Sequence, residues 1–269
     1  MKKIEDRKKD PLLSIEGVEK IYRRRARHYR ILHHLTTRFR DTEWRQEVAW
    51  LAGVKSGDKV LDICTGIGLS PIEYLKVWKV QGLREVHITG IDFNEEMLRV
   101  GRELIEKLGL GEQISLVRGD AMDLRRGEKE EGFAVFEEST FDAVICICGI
   151  GGIEDPKSTY REMLRVLKEG GRAVLLDMRE PVDGLHKDYP KQKAIWDRIT
   201  VPWVLRRFWG WNDPSDMIDE VEKTSWLDKK GNRWVFETLI KAIRTENWWF
   251  SIPAITTARF KGKKVRVGN

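Results

Sequence analysis

The sequence predicts an α/β fold: a doubly wound, mostly parallel sheet with helices on both faces. Three observations predict it. Five short apolar runs alternate with amphipathic helical stretches between residues 55 and 180. The first three runs each carry an aspartate at or near the carboxyl end, namely Asp62, Asp92 and Asp120. The length of 269 residues is enough for a full α/β core, large for one domain and short for two.

Residues 1–54 read as a helical cap. Tyr22, Ala26, Tyr29 and His33 follow i, i+4, i+7, i+11 spacing and form one face, with arginines opposite. Val48, Leu51 and Ala52 lead to Gly53 and the turn Lys55-Ser56-Gly57-Asp58. Residues 55–180 read as the core. Val60–Cys64 is a buried strand followed by a glycine loop, and Ser70-Pro71 opens a helix carrying Ile72, Leu75 and Trp78. Val86–Ile91 is a second strand, ending at Asp92; Asn94 caps the next helix, where Leu98, Gly101, Ile105 and Leu108 share a face. Ile114–Val117 is a third strand that runs into Gly119-Asp120-Ala121-Met122. Phe141–Cys148 is a fourth. Asp155-Pro156 starts a helix that Gly170-Gly171 is expected to stop, and Ala173–Leu176 is the fifth strand.

Residues 181–250 break the pattern. They hold eight of the eleven Trp (196, 203, 209, 211, 226, 234, 248 and 249) and read as a Trp-rich helical insert before the last strand. Its expected role is a lid over an apolar pocket, against a packed subdomain or a homodimer face. Residues 251–269 read as a closing strand and tail, within one structural domain overall.

Composition excludes several classes. With 41% hydrophobic and 34% charged residues, the chain is an ordinary globule, and no apolar run reaches the roughly 18 residues that span a bilayer. The N-terminus lacks the apolar stretch of a secretion signal, which points to the cytoplasm. Cys64, Cys146 and Cys148 all fall in runs read as strands, so reduced core thiols are expected and no metal site. Scarce Asn and Gln beside abundant charge suggest a thermophile. The net charge of +6 sits in residues 1–50, densest at Lys20, Arg23, Arg24, Arg25, Arg27 and Arg30. That stretch suits RNA phosphates or an anionic membrane surface, or is a solvated helix face.

Parallel sheets of this kind bind ligands at the carboxyl ends of their strands. There, Asp62-x-x-Thr65-Gly66-Ile67-Gly68 offers backbone that a ligand can approach closely. Asp92, 24 residues after Gly68, suits a carboxylate accepting both hydroxyls of a ribose, with Phe93 and Met97 walling an adenine. Asp120, Ala121 and Met122 can meet the adenine edge, and Cys148 ends the fourth strand beneath the reacting centre. In register on consecutive strands, these residues fit S-adenosylmethionine. Asp62 and Thr65 would take its amino-acid end. A dinucleotide loop would want a third glycine where Pro71 stands, and a basic residue that the loop lacks.

The stretches Gly57–Gly68, Gly90–Leu98, Arg118–Ala121, Phe141–Val144 and Glu162–Gly171 resemble class I (Rossmann-like) methyltransferases, and among them the ubiquinone/menaquinone-biosynthesis C-methyltransferase family. Tyr29–Leu32 with Trp44-Arg45 is similar to that family's N-terminal helices, with Arg30 where the family usually has an acid. The resemblance implies an S-adenosylmethionine-dependent methyltransferase, whose task is to aim the acceptor at the methyl and exclude water. The expected acceptor is small, hydrophobic or aromatic, and membrane-derived. RNA methylation through the basic helix and a catalytically silent partner subunit are the alternatives. No catalytic residue is fixed by the sequence; Tyr29, His33 and Cys148 are candidates, with Tyr22 and His34 beside them.

Overall fold

The computed structural model describes residues 15–37, 39–179, 214–248 and 252–267. The cap consists of α1 (Ile15–Arg25), a 3-10 turn at Ala26–His28, α2 (Tyr29–Thr36) and α3 (Asp41–Ala52). Gly53, in a left-handed conformation, closes α3. The core then alternates β1 (Lys59–Ile63), α4 (Leu69–Val80), β2 (His87–Asp92), α5 (Glu95–Lys107), β3 (Ile114–Arg118), β4 (Phe141–Ile147), α6 (Pro156–Val166) and β5 (Leu167–Arg179). After α7 (Pro214–Lys223) come β6 (Ser225–Leu227), β7 (Arg233–Trp248) and β8 (Ile252–Arg266).

All eight strands form one sheet in the order β3-β2-β1-β4-β5-β8-β7-β6. The pairs β1/β2, β1/β4, β2/β3 and β4/β5 are parallel; β5/β8, β7/β8 and β6/β7 are antiparallel. This is the Rossmann-like sheet expected. Its order reverses between β1 and β4, which opens a crevice at their carboxyl ends. The central strands read as unbroken apolar runs because both faces are covered. Val60 joins a core with Trp44, Trp78 and Leu98, while Leu61 and Ile63 join another with Tyr160, Leu164 and Phe260.

Three local expectations are corrected. The stop at Gly170-Gly171 is not a helix cap: α6 ends at Val166 and the glycines lie within β5, where the pairing with β4 shifts register. Cys64 and Cys148 are not strand residues but stand one position beyond β1 and β4, at φ +58° and +52°. Leu108 falls just past α5 and is exposed.

The Trp-rich segment is corrected in part. Pro214–Lys223 is helical, but residues 225–227 and 233–248 are strands that extend the sheet. Trp226 pairs across from Trp234, and both rings lie about 4.8–4.9 Å from the ammonium of the buried Lys264, which donates to the carbonyl of Leu167. These two tryptophans therefore cage a lysine at the far edge of the sheet. They do not line the cleft. Trp196, Trp203, Trp209, Trp211 and Trp249 lie outside the described residues.

Candidate functional site

The site begins where β1 stops. Cys64 and Gly66 take left-handed conformations, and Gly68 does so as the residue that starts α4. A side chain on Gly66 would meet Met97 Cε at 3.2 Å and Tyr29 Cε1 at 3.7 Å, so only glycine leaves this surface open. The backbone N–H of Thr65 donates to Ile91 O, which pins the loop to the end of β2.

Asp92 does more than its spacing foretold. Its Oδ2 accepts from the Gly66 N–H and its Oδ1 from the Asn94 N–H, each at 2.9 Å. One carboxyl thereby fixes the glycine loop and the start of α5. Burial raises its pKa, while these backbone donors lower it. Asn94 caps α5 as expected, accepting from Glu96 N and Met97 N. Its amide also donates to Glu19 O, which ties the cap to the sheet edge.

A pocket opens over this edge. Gly66, Asp92, Phe93, Met97, Asp120, Ala121, Met122 and Cys148 line it, all expected from the sequence. Asp62, Thr65 and Gly68 do not line it. A side chain on Gly68 would point into the core at Leu116 and Ile105, so that glycine serves helix packing. Asp62 is buried below the loop, where Tyr74 donates to its Oδ1. Burial pushes its carboxyl up to about 7, against the pull of the Thr65 and Tyr74 hydroxyls. Asp62 Oδ2 and Thr65 Oγ1 are buried and make no hydrogen bond among the described residues. Thr65 and Asp62 face each other there, and a buried hydroxyl and carboxyl short of further partners beneath a glycine loop are what a polar ligand end would complete.

The wall at Phe93 is reinforced by residues that sequence reasoning missed. Arg118 and Arg126 stack on Phe93 and Phe133, with guanidinium-to-ring distances of 4.1–5.4 Å. Arg126 also donates to Asp120 Oδ2 at 2.8 Å, and Met122 N donates to Asp120 Oδ1 at 2.9 Å. Asp120 thus already holds one partner on each oxygen, and any ligand amine would share them.

The opposite wall comes from the cap. Glu19, Tyr22 and Tyr29 line the pocket, with the two tyrosine rings 6.0 Å apart. Burial raises both tyrosine pKa values, so both remain phenols at neutral pH. His33 and His34 are not in the lining. His33 lies behind Tyr29, ring centroids 5.2 Å apart, and 3.5 Å from Asp41. Burial lowers the His33 pKa, keeping the ring neutral. Asp41 binds His34 and Arg45, and Arg45 reaches Ser70 on α4 at 3.1 Å. Burial would raise Asp41, but His33 and Arg45 hold it well below the usual carboxylate range. Arg45 stands in the Trp44-Arg45 pair that resembles the family's N-terminal helices, with no role assigned to it; Asp41 has no motif to mark it. Cys148 faces the pocket as a thiol whose pKa burial raises, which makes it a poor nucleophile.

Residues 4–206 match the ubiE/COQ5 methyltransferase family. The chain belongs to that family. The family's name states its chemistry, methyl transfer. A demethylmenaquinone methyltransferase of Staphylococcus aureus (strain Newman) is 34% identical over 187 residues, 70% of this chain and 69% of the relative. One from Bacillus cytotoxicus is 32% identical over 166 residues, 62% of this chain and 64% of the relative. The chain thus spans less than two thirds of the length of the Bacillus cytotoxicus relative and slightly more of the Staphylococcus aureus one. Among solved structures, geranyl diphosphate methyltransferase in complex with SAM superposes with a TM-score of 0.56 at 12% identity, covering 87% of this chain and 90% of that one. The cyclase SpnF gives 0.58 at 15% identity, with 84% and 81% covered. Such likenesses show the fold alone, and a cyclase among them shows why function must be argued from the site.

Proposed function

We propose that this chain binds S-adenosylmethionine in the pocket and transfers its methyl group to a small, hydrophobic or aromatic acceptor seated against the cap. The observation that carries the proposal is one continuous cavity with two unlike walls. Asp92, Phe93 and Met97 stand on the sheet side, and the phenols of Tyr22 and Tyr29 on the other.

When bound, the cofactor supplies an electrophilic methyl on a sulfonium. Gly66 keeps the floor open, and Asp92 accepts from ribose hydroxyls. Phe93 and Met97 flank the adenine, with the Asp120–Met122 turn at its edge. Asp62 and Thr65 offer their open oxygens to the amino-acid end, directly or through water. Tyr22 and Tyr29 orient the acceptor with aromatic faces and hydroxyl donors, and the cap excludes water. An acceptor that is itself an anion or a good nucleophile requires no acid–base dyad. The demethylmenaquinone methyltransferases among the relatives favour a reduced quinone as that acceptor.

The test is calorimetric titration with S-adenosylmethionine, wild type beside Asp92→Ala. Removing a charged acceptor that also positions the loop should weaken binding about 100-fold. A wild type that binds then meets reduced naphthoquinones and bulk tRNA as competing acceptors, with methylated product read by mass. Turnover of the quinol supports the proposal, and turnover of tRNA alone overturns the acceptor. Binding with neither turned over points to a silent partner subunit. A wild type that does not bind sinks the cofactor assignment.

A further inference from the structure

The outward face of the cap does nothing for the pocket, yet it is the most one-sided surface in the sequence. No Asp or Glu occurs between Glu19 and Asp41, while Lys20, Arg23, Arg24, Arg27 and Arg30 are all exposed. Directly after them, α2 exposes Ile31 (63%) and Leu35 (48%), one helical turn apart, and Phe39 follows at 50%. The inward face of the same helices carries Tyr22, Ala26 and Tyr29 against the glycine loop and Met97. The acid on α5 that feels Arg23 and Arg27 is Glu96, whose partner Arg99 is shared with Glu103. One such acid against five exposed cations leaves the face net positive.

We infer that α1 and α2 form an interfacial docking face for an anionic lipid bilayer. The arginines would meet headgroup phosphates while Ile31, Leu35 and Phe39 enter the acyl boundary. Charge alone would equally suit RNA. The apolar stripe decides between them, because aliphatic side chains gain from acyl chains and nothing from a phosphodiester backbone. Docked this way, the pocket roof lies on the membrane, and an acceptor dissolved in lipid reaches Tyr22 and Tyr29 without crossing water. The docking stands apart from the proposed methyl transfer, since vesicle binding is read without turnover.

The full chain is mixed with vesicles of equimolar phosphatidylglycerol and phosphatidylcholine, and separately with pure phosphatidylcholine, and the bound fraction is read by co-flotation. Wild type should prefer the anionic vesicles about tenfold or more, and less so as salt is raised. Arg24→Glu with Arg30→Glu should lower that partition about tenfold. Ile31→Ser with Leu35→Ser should lower it about threefold or more and leave the salt dependence in place. An unchanged S-adenosylmethionine affinity in each variant shows that the fold is intact; if the Glu pair unfolds, Arg24→Gln with Arg30→Gln replaces it. Equal partition onto neutral and anionic vesicles overturns the inference. So does a serine variant that binds vesicles like wild type while bulk tRNA is bound through the same arginines, which would assign the face to RNA.

Discussion

On its sheet side the pocket is built from backbone: left-handed glycines, strand ends in register, and one aspartate accepting two main-chain N–H groups. On its cap side it is built from side chains: Tyr22 beside Tyr29, and Tyr29 backed by a cluster of His33, Arg45 and Asp41. The first wall tolerates little change in geometry, because strand ends and main-chain bonds fix where Asp92, Phe93 and Met97 stand. The second depends on particular residues and is free to differ in what it accepts. Under the proposed function, the difference separates a fixed cofactor seat from an adjustable acceptor seat.

The largest effect should come from breaking the cap wall at its root. Arg45→Met leaves Asp41 buried without its cation and should cost about 3–5 kcal/mol in chemical denaturation. Retained stability would show that the cluster does not hold the wall. Next, Gly101→Ala strikes the sheet side. A methyl there would lie 2.6 Å from Leu116 Cδ1 and 2.9 Å from the Ile67 carbonyl carbon, and should cost about 2 kcal/mol with cofactor affinity falling alongside.

Asp62→Asn sharpens the comparison through pH. The folded pKa of Asp62, about 7, lies above its ordinary value of 3.8, so folded wild type holds a proton that the unfolded chain releases. Wild-type stability should fall as pH rises from about 4 to 7 and level off above, relative to the variant, whose melting temperature lacks this component. Parallel curves for the two proteins would refute the buried-carboxyl reading. The smallest effect belongs to Trp226→Leu, which loosens the Lys264 cage at the sheet edge. It should cost about 1 kcal/mol and leave S-adenosylmethionine affinity untouched. A loss of affinity would return this tryptophan to the pocket.

The sheet wall was legible because its residues sit at fixed offsets from strand ends. Gly66, Asp92, Phe93 and Met97 follow from where β1 and β2 stop. The cap wall was legible only as a face, since Tyr22 and Tyr29 share helical spacing. Asp41 and Arg45 are an i, i+4 pair that reads equally well as an ordinary helix-surface ion pair, whereas Arg118, Arg126 and Phe133 meet across distances that leave no periodic trace. The misreading of β7 has a different cause. Trp234 and Phe236 are buried and alternate with less buried neighbours, but Val235 between them is also apolar, so the sequence there carries no clean period-two pattern. The helix stop at Gly170 failed because a bulged strand and a helix end both use a left-handed glycine.

The bond from Gly66 N–H to Asp92 joins two positions 26 residues apart in the chain. A change that tilts the first peptide swings the second carboxylate, and a change that removes the carboxylate frees the peptide. Transplanting either loop alone into a related scaffold would carry half of a hinge pin. For descent or for engineering, the glycine loop and the end of β2 form one exchangeable part.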